Sequence, residues 1–528
     1  MRTISILIVC FGFAILHGQT SNVTIQTVSN YNGWKWDTTI VMQNGLITMA
    51  TVPAIGGRVM QYDLGTLPSM MVNSSLFGKK YTPSNGAYYN FGGYKIWPSP
   101  QNRWPGTWPP PPTLDFGAYT VLETSQTNDS VALSVLSPIE KWVAPSIQFK
   151  RRATIFPGTS RVRMAQTIIN TGTKDTSWGV WSIIQSIVNH PSKTDYTNFW
   201  AYFPLNPNSV YGASGVSYDG ASAAWKGEVM PGVYGVQFVA GSYKIFADPY
   251  KGWIVYTSLS DTVVFARTFP VFEGMQYPDN GARTTVYVSS NSAPLYMEVE
   301  VKGPVVALAA NGGNYTFTEN WWAARVRAPI LDVDSVGAIA SKLSYNSTTQ
   351  SFSAIYGIFY QGTAKIAFVD AQDQLLTEGQ PHTVSPLAEF QLQEKVGIPT
   401  GAKTATVRVY NTKNELMGVL DTLDVSGLPT AVEATTPVIA SEYHLAQNFP
   451  NPFNPSTKIS FTLAKTEHAR LVVYNLYGQQ MKTLFDGLAD GQREYVVTFD
   501  ASHLASGVYF YKMQTPTRTD VRKMMLMK

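Results

Sequence analysis

A single cysteine, six histidines and a charged fraction of only 14% in 528 residues set the first limits on this protein. The cysteine, Cys10, lies in the first apolar stretch, so a disulfide framework is excluded. No constellation of His, Cys and carboxylates has metal-site spacing, although calcium on carbonyl and Asp/Glu oxygens stays open. Lys and Arg nowhere cluster with interleaved aromatics, which argues against nucleic-acid binding. There is no phosphate loop and no GxSxG serine elbow. No 20–50-residue repeat is visible, which removes solenoids and propellers. After the first apolar stretch no run of about 20 apolar residues follows, so no transmembrane span is expected in the mature chain. No cofactor is implied.

What is present points to β structure. Hydrophobic residues make up 44%, with 29 Tyr, 25 Phe and 13 Trp, enough for large buried cores. Val/Ile/Tyr/Thr runs are punctuated by 41 Gly and 32 Pro. Arg2, the run ISILIVCFGFAIL and a small residue at Gly18 predict a signal peptide over 1–18. Val9 before Cys10 argues against a lipoprotein. The exported chain would then carry no cysteine and rest on core burial alone.

Length predicts three or four domains. From 22 to 322, short strands alternate with turns, as in QFKRRATIFPGTSRVRMAQTIINTG, and no segment of 12 residues or more has a helical period. This predicts a large antiparallel two-sheet sandwich. A second set of strand-like runs over 327–425 fits a small immunoglobulin- or fibronectin-like sandwich, either a spacer or an accessory binding module. A Pro/Thr/Ala/Ser linker over 426–442 leads to a last β-rich segment, 443–528. The fold class is all-β throughout.

The last segment opens YHLAQNFPNPFNPSTKISFTL, continues through LVVYNLYGQQMKTLFDG and ASGVYFYK, and ends KMMLMK. It closely resembles the type A C-terminal sorting domain of the type IX secretion system of Gram-negative bacteria. The prolines at 450, 452 and 455 enforce an extended entry. The resemblance implies a partner in the type IX machinery and a destination outside the cell or on its outer surface.

The large domain is similar to the galactose mutarotase-like superfamily, and more closely to its uncharacterised DUF4380-type branch. The resemblance rests on ITMATVPAIGGRVMQYDLG, NFGGYKIWPSPQNRWPGTWPPPPTLD, TSWGVWSIIQ, FEGMQYPDN and YMEVEVKGPVVALAANGGNYTFTENWW, in that order. It implies a β-supersandwich whose concave face binds sugars. Mutarotase chemistry needs a carboxylate base and an imidazole acid. Phe91 and Gln185 stand where the family's two histidines are expected, and neither transfers a proton near neutral pH. His190 is either a displaced acid or a surface-turn residue. Glu273, followed by Pro278 and Asp279 at the family's spacing, is the candidate base, or else a carboxylate that bonds a turn or a sugar hydroxyl. A buried glutamate there would have a raised pKa.

Candidate ligand-binding residues follow from the same segments: Lys95, Trp97, Gln101, Arg103, Trp108 and Asp115, with Trp104 beside them. Flat aromatic faces suit the C–H side of a sugar ring, and charged or planar groups suit its hydroxyls. Arg58, Arg163 and Gln185 complete the set, while Glu298 and Glu300 read as a solvated strand face. A carbohydrate-binding protein, a carbohydrate-active enzyme and an adhesive surface protein all fit. The first needs no proton donor, and an epimerase needs one facing Glu273.

Overall fold

The computed structural model describes residues 23–188, 198–220, 226–290, 292–428, 443–491 and 494–527. The signal-peptide stretch, His190 and most of the linker lie outside the described residues. The chain divides into two compact units at Thr430/Ala431.

In the first unit, two large antiparallel sheets face each other. An 11-stranded sheet runs from Thr24–Val28 at one edge, through Arg58–Leu64, Tyr94–Ser99, Thr176–Ile187, Tyr296–Lys302, Thr284–Val288 and Tyr243–Ala247, to Val216–Asp219 at the other. A 10-stranded sheet lies against it, with Phe199–Pro204, Trp253–Ser258, Val263–Thr268, Asn314–Arg325 and Val162–Asn170 at its centre. Alternation decides which side chains face inward. In Val162–Asn170, Val162, Met164, Gln166, Ile168 and Asn170 are buried, and the residues between them are not. The central strand Thr176–Ile187 is instead buried on both faces from Trp178 to Ser186, because loops cover the side turned away from the second sheet. Helix is confined to turns such as Pro112–Phe116.

Strands between Asp332 and Asp424 form a smaller two-sheet sandwich. It packs directly against the large sandwich. Trp322, from the last strand of the large sandwich, stacks on Phe359 at 5.1 Å, and both belong to an apolar cluster with Trp253, Val264, Ile330 and Ala338. Thr159 bridges to Tyr360, and Ser160 N–H donates to Phe359 O at 3.0 Å. The small sandwich thus covers the outer face of the 10-stranded sheet.

The second unit is a three-stranded sheet and a four-stranded sheet around Phe453, Ile459, Phe461, Leu471, Phe499 and Tyr511. Its proline-rich entry is held by Asn448, whose Nδ2 donates to Pro450 O (3.0 Å) and Thr457 Oγ1 (3.0 Å), while Tyr511 Oη accepts from its backbone N–H (2.8 Å). Proline removes backbone donors from this segment, so one buried carboxamide takes over the tethering. Among the described residues no helix is long and apolar enough to cross a membrane.

Candidate functional site

The register of the 11-stranded sheet brings one row of polar and aromatic side chains together. Trp181 pairs with Trp97 on one side and Lys302 on the other, Ile183 with Lys95 and Glu300, and Gln185 with Glu298. Because these positions alternate with Tyr94, Ser182 and Val299, which face the second sheet, the row lies on the opposite, outer face. Two glycines allow the approach to this face. Gly92 and Gly93 have φ of +90° and +69°, and a Cβ on Gly93 would lie 2.3 Å from Val59 O.

Three charge pairs cross the row. Arg58 Nη2 donates to Asp115 Oδ1 at 2.7 Å, and Trp97 Nε1 donates to the same oxygen at 2.7 Å. Lys95 Nζ and Gln185 Nε2 converge on Glu298 Oε1 at 3.2 and 3.0 Å. Trp181 Nε1 donates to Glu300 Oε2 at 2.8 Å, and Lys302 Nζ lies 3.8 Å from that oxygen and pairs with Asp279. The chain WPPPP leads into the short turn of helix that puts Asp115 above the sheet. Trp97 meets Trp181, Trp104 and Trp108 edge-on at 5.2, 5.5 and 6.0 Å, and the Lys95 ammonium sits 4.4 Å from the Trp97 ring centre.

Burial shapes the electrostatics. Lys95, Glu298, Glu300 and Lys302 are all under 7% exposed. Desolvation pulls the Lys95 ammonium below its usual range, against the opposing pull of Glu298. Desolvation also pushes the Glu300 carboxyl up to about 7, with Lys244 and Lys302 acting the other way. The Tyr88 phenol, near Asp115 and Glu298, is raised by burial and then by those carboxylates. Four buried acceptors in and beside this row have no hydrogen-bond partner among the described residues: Asn90 Oδ1, Asp115 Oδ2, Gln185 Oε1 and Glu300 Oε1.

The structure gathers Arg58, Lys95, Trp97, Trp108, Asp115 and Gln185 here. Phe91 packs close by, buried among Trp36, Tyr81 and Tyr89 with the Arg58 guanidinium 5.8 Å from its ring. Other expectations need correction. Arg163 points outward from the 10-stranded sheet, because it alternates with the inward Val162 and Met164. Gln101 bonds Thr107 O of its own loop, and Arg103 lies over Trp178 and bonds Ser177, outside the row. Glu273 is not a buried strand end. Its side chain is 77% exposed and pairs with Arg283 at 3.2 Å. Glu298 and Glu300, conversely, are not solvated. Their alternation with Met297, Val299 and Val301 was visible in YMEVEVK, but the covering loops that bury them were not. His190 lies outside the described residues.

Residues 447–527 match the family described as secretion system C-terminal sorting domain. No curated protein matches the chain. Among solved structures, the Slr1438 protein from Synechocystis sp. PCC 6803 is 11% identical, with a TM-score of 0.39 over 62% of this chain and 100% of that one. A galactose mutarotase-like protein from Clostridium acetobutylicum is 8% identical, with a TM-score of 0.37 over 58% of this chain and 99% of that one. A galactose mutarotase-like protein from Lactobacillus casei is 10% identical, with a TM-score of 0.36 over 54% of this chain and 99% of that one. The terminal sorting domain marks the chain for secretion or attachment at the cell surface.

Proposed function

We propose that this is a secreted or surface-displayed carbohydrate-binding protein whose ligand sits on the outer face of the 11-stranded sheet. One observation carries the reading: four buried acceptors lie in and beside this row with no donor among the described residues, next to a group of tryptophans. A buried polar atom without a partner costs about 1–3 kcal/mol, so a ligand rich in hydroxyl donors recovers what folding leaves unpaid. The paired charges Arg58–Asp115 and Lys95–Glu298 hold these acceptors in place. A glycan array probed with the chain lacking its signal peptide tests the reading, with Gln185→Leu as the control. Binding that survives this substitution unchanged argues against the site.

A second reading, an aldose epimerase, is favoured by one feature. Glu300 is a buried carboxyl poised near neutrality, as a proton-exchanging group should be. Glu273, exposed and paired, is less suited to that role. Polarimetry with glucose and galactose separates the two: a binder shows no acceleration, and an enzyme loses its rate in Glu300→Gln. Export predicts a mature chain starting near Gln19 and ending within 429–442, the sorting domain having been removed. Mass spectrometry of released protein would show an intact carboxy terminus if no such processing occurs.

A further inference from the structure

A second site lies in the first unit where the two sandwiches meet. A trough of about 1130 Å³ opens there between two turns of the large sandwich and two of the small. Gln126–Asp129 and Phe156–Thr159 supply one wall, and Tyr360, Gln361 and the turn Asn411–Lys413 supply the other. The walls are fixed relative to one another by the Thr159–Tyr360 bridge, by Gln361 N–H donating to Gly158 O at 2.8 Å, and by the Trp322–Phe359 stack beneath. The trough is therefore preformed, and its volume exceeds the usual range for a pocket holding one small ligand.

Its chemistry is specific. Arg161 is half-buried, with its guanidinium 5.0 Å from the Phe156 ring and 5.6 Å from Trp322. Its Nε donates to Asn320 at 2.8 Å, and among the described residues no carboxylate pairs with it. Tyr360, Gln361, Asn128 and Lys413 line the same space, and among the described residues their side chains have no hydrogen-bond partner. The carboxylates Asp129 and Glu415 balance Arg161 and Lys413, so the trough has no net charge to select a polyanion. Half-buried ring faces on the floor, with carboxamide, phenol and cationic donors along the rim, suit a chain of several sugar units.

We propose that this trough binds an extended oligosaccharide, independently of the outer-face site. The protein would then grip a polysaccharide at two separated places, and its avidity for polymer would exceed that for short fragments. The test uses the chain without its signal peptide on an array of neutral and uronate-bearing oligosaccharides of one to eight units. The comparison variant combines Asn128→Ala, Gln361→Ala and Lys413→Ala, all at solvent-facing or half-buried rim positions. Losing three donors should weaken binding of ligands of four or more units by roughly tenfold or more while leaving monosaccharide binding and Tm unchanged. A single Arg161→Lys variant, which keeps the charge but loses the planar stack, should give a smaller loss of the same kind. The proposal is overturned if no long oligosaccharide binds, or if the triple variant binds every length as the parent does. It is equally overturned if Gln185→Leu alone abolishes all binding, since one site would then account for everything.

Discussion

Two sheet faces, one on each large sheet, bury charged side chains, and they do so in opposite ways. On the inner face of the 10-stranded sheet, Arg267 grips Glu319 through Nε and Nη2, and its Nη1 reaches across to donate to Ser182 O and Val299 O of the 11-stranded sheet at 3.1 and 2.6 Å. Gln166 donates to Glu319 Oε1 at 3.1 Å and accepts from the Tyr94 phenol at 2.8 Å, so both carboxylate oxygens are occupied. On the outer face, Asp115, Gln185 and Glu300 are just as buried, yet each keeps one oxygen unpartnered. A network satisfied throughout serves the fold. One left short of donors, beside stacked indoles, is arranged for something that arrives later.

Substitutions can break this contrast, and the largest effect belongs to the inner face. Arg267→Met leaves Glu319 charged and unpaired between the sheets, and should cost about 3–5 kcal/mol in chemical denaturation. A loss below 1 kcal/mol would mean that the inner pair is as dispensable as a surface one.

Next comes Glu300, through pH. Its folded carboxyl sits near 7 against an ordinary 4.5, so the folded state holds this proton more tightly than the unfolded chain does. Its contribution to stability is therefore fully present below about pH 4.5 and is lost as pH rises through 7. Glu300→Gln keeps the acceptor for Trp181 but cannot ionise. Relative to the parent, it should gain up to about 3 kcal/mol between pH 5 and 8. Parallel stability curves for the two proteins would show that Glu300 is not the group under strain.

Trp108 gives a smaller, local effect. It is 52% exposed at the rim, so Trp108→Ala should leave Tm nearly unchanged and weaken sugar binding by about 1 kcal/mol. Trp97 is the wrong choice for that experiment. At 3% exposure, its truncation would cost about 3–5 kcal/mol of stability and mask any binding effect. Smallest of all is Glu273→Gln, which removes one arm of an exposed ion pair and should change stability by no more than about 0.5 kcal/mol. A clear loss of sugar affinity in this variant would return Glu273 to the site.

Much of this architecture could be read from residue order alone. Period-two alternation and turn residues are local properties, so the all-β class, the long strands and the terminal sorting domain were all legible before any contact was known. The site was legible only in part. Alternation placed Tyr296, Glu298 and Glu300 on one face but could not say whether water or protein lay above it. That was decided by loops from other parts of the chain, among them the WPPPP segment. The same reasoning explains Arg163 and Glu273. Each has the residue type a site needs, but the face of a strand relative to the core, and the exposure of a loop, depend on partners far away in sequence. Local sequence determined which elements form and which residues share a face. Only tertiary packing determined which of those faces are dry, and dryness is what turns a row of ordinary charges into a candidate binding site.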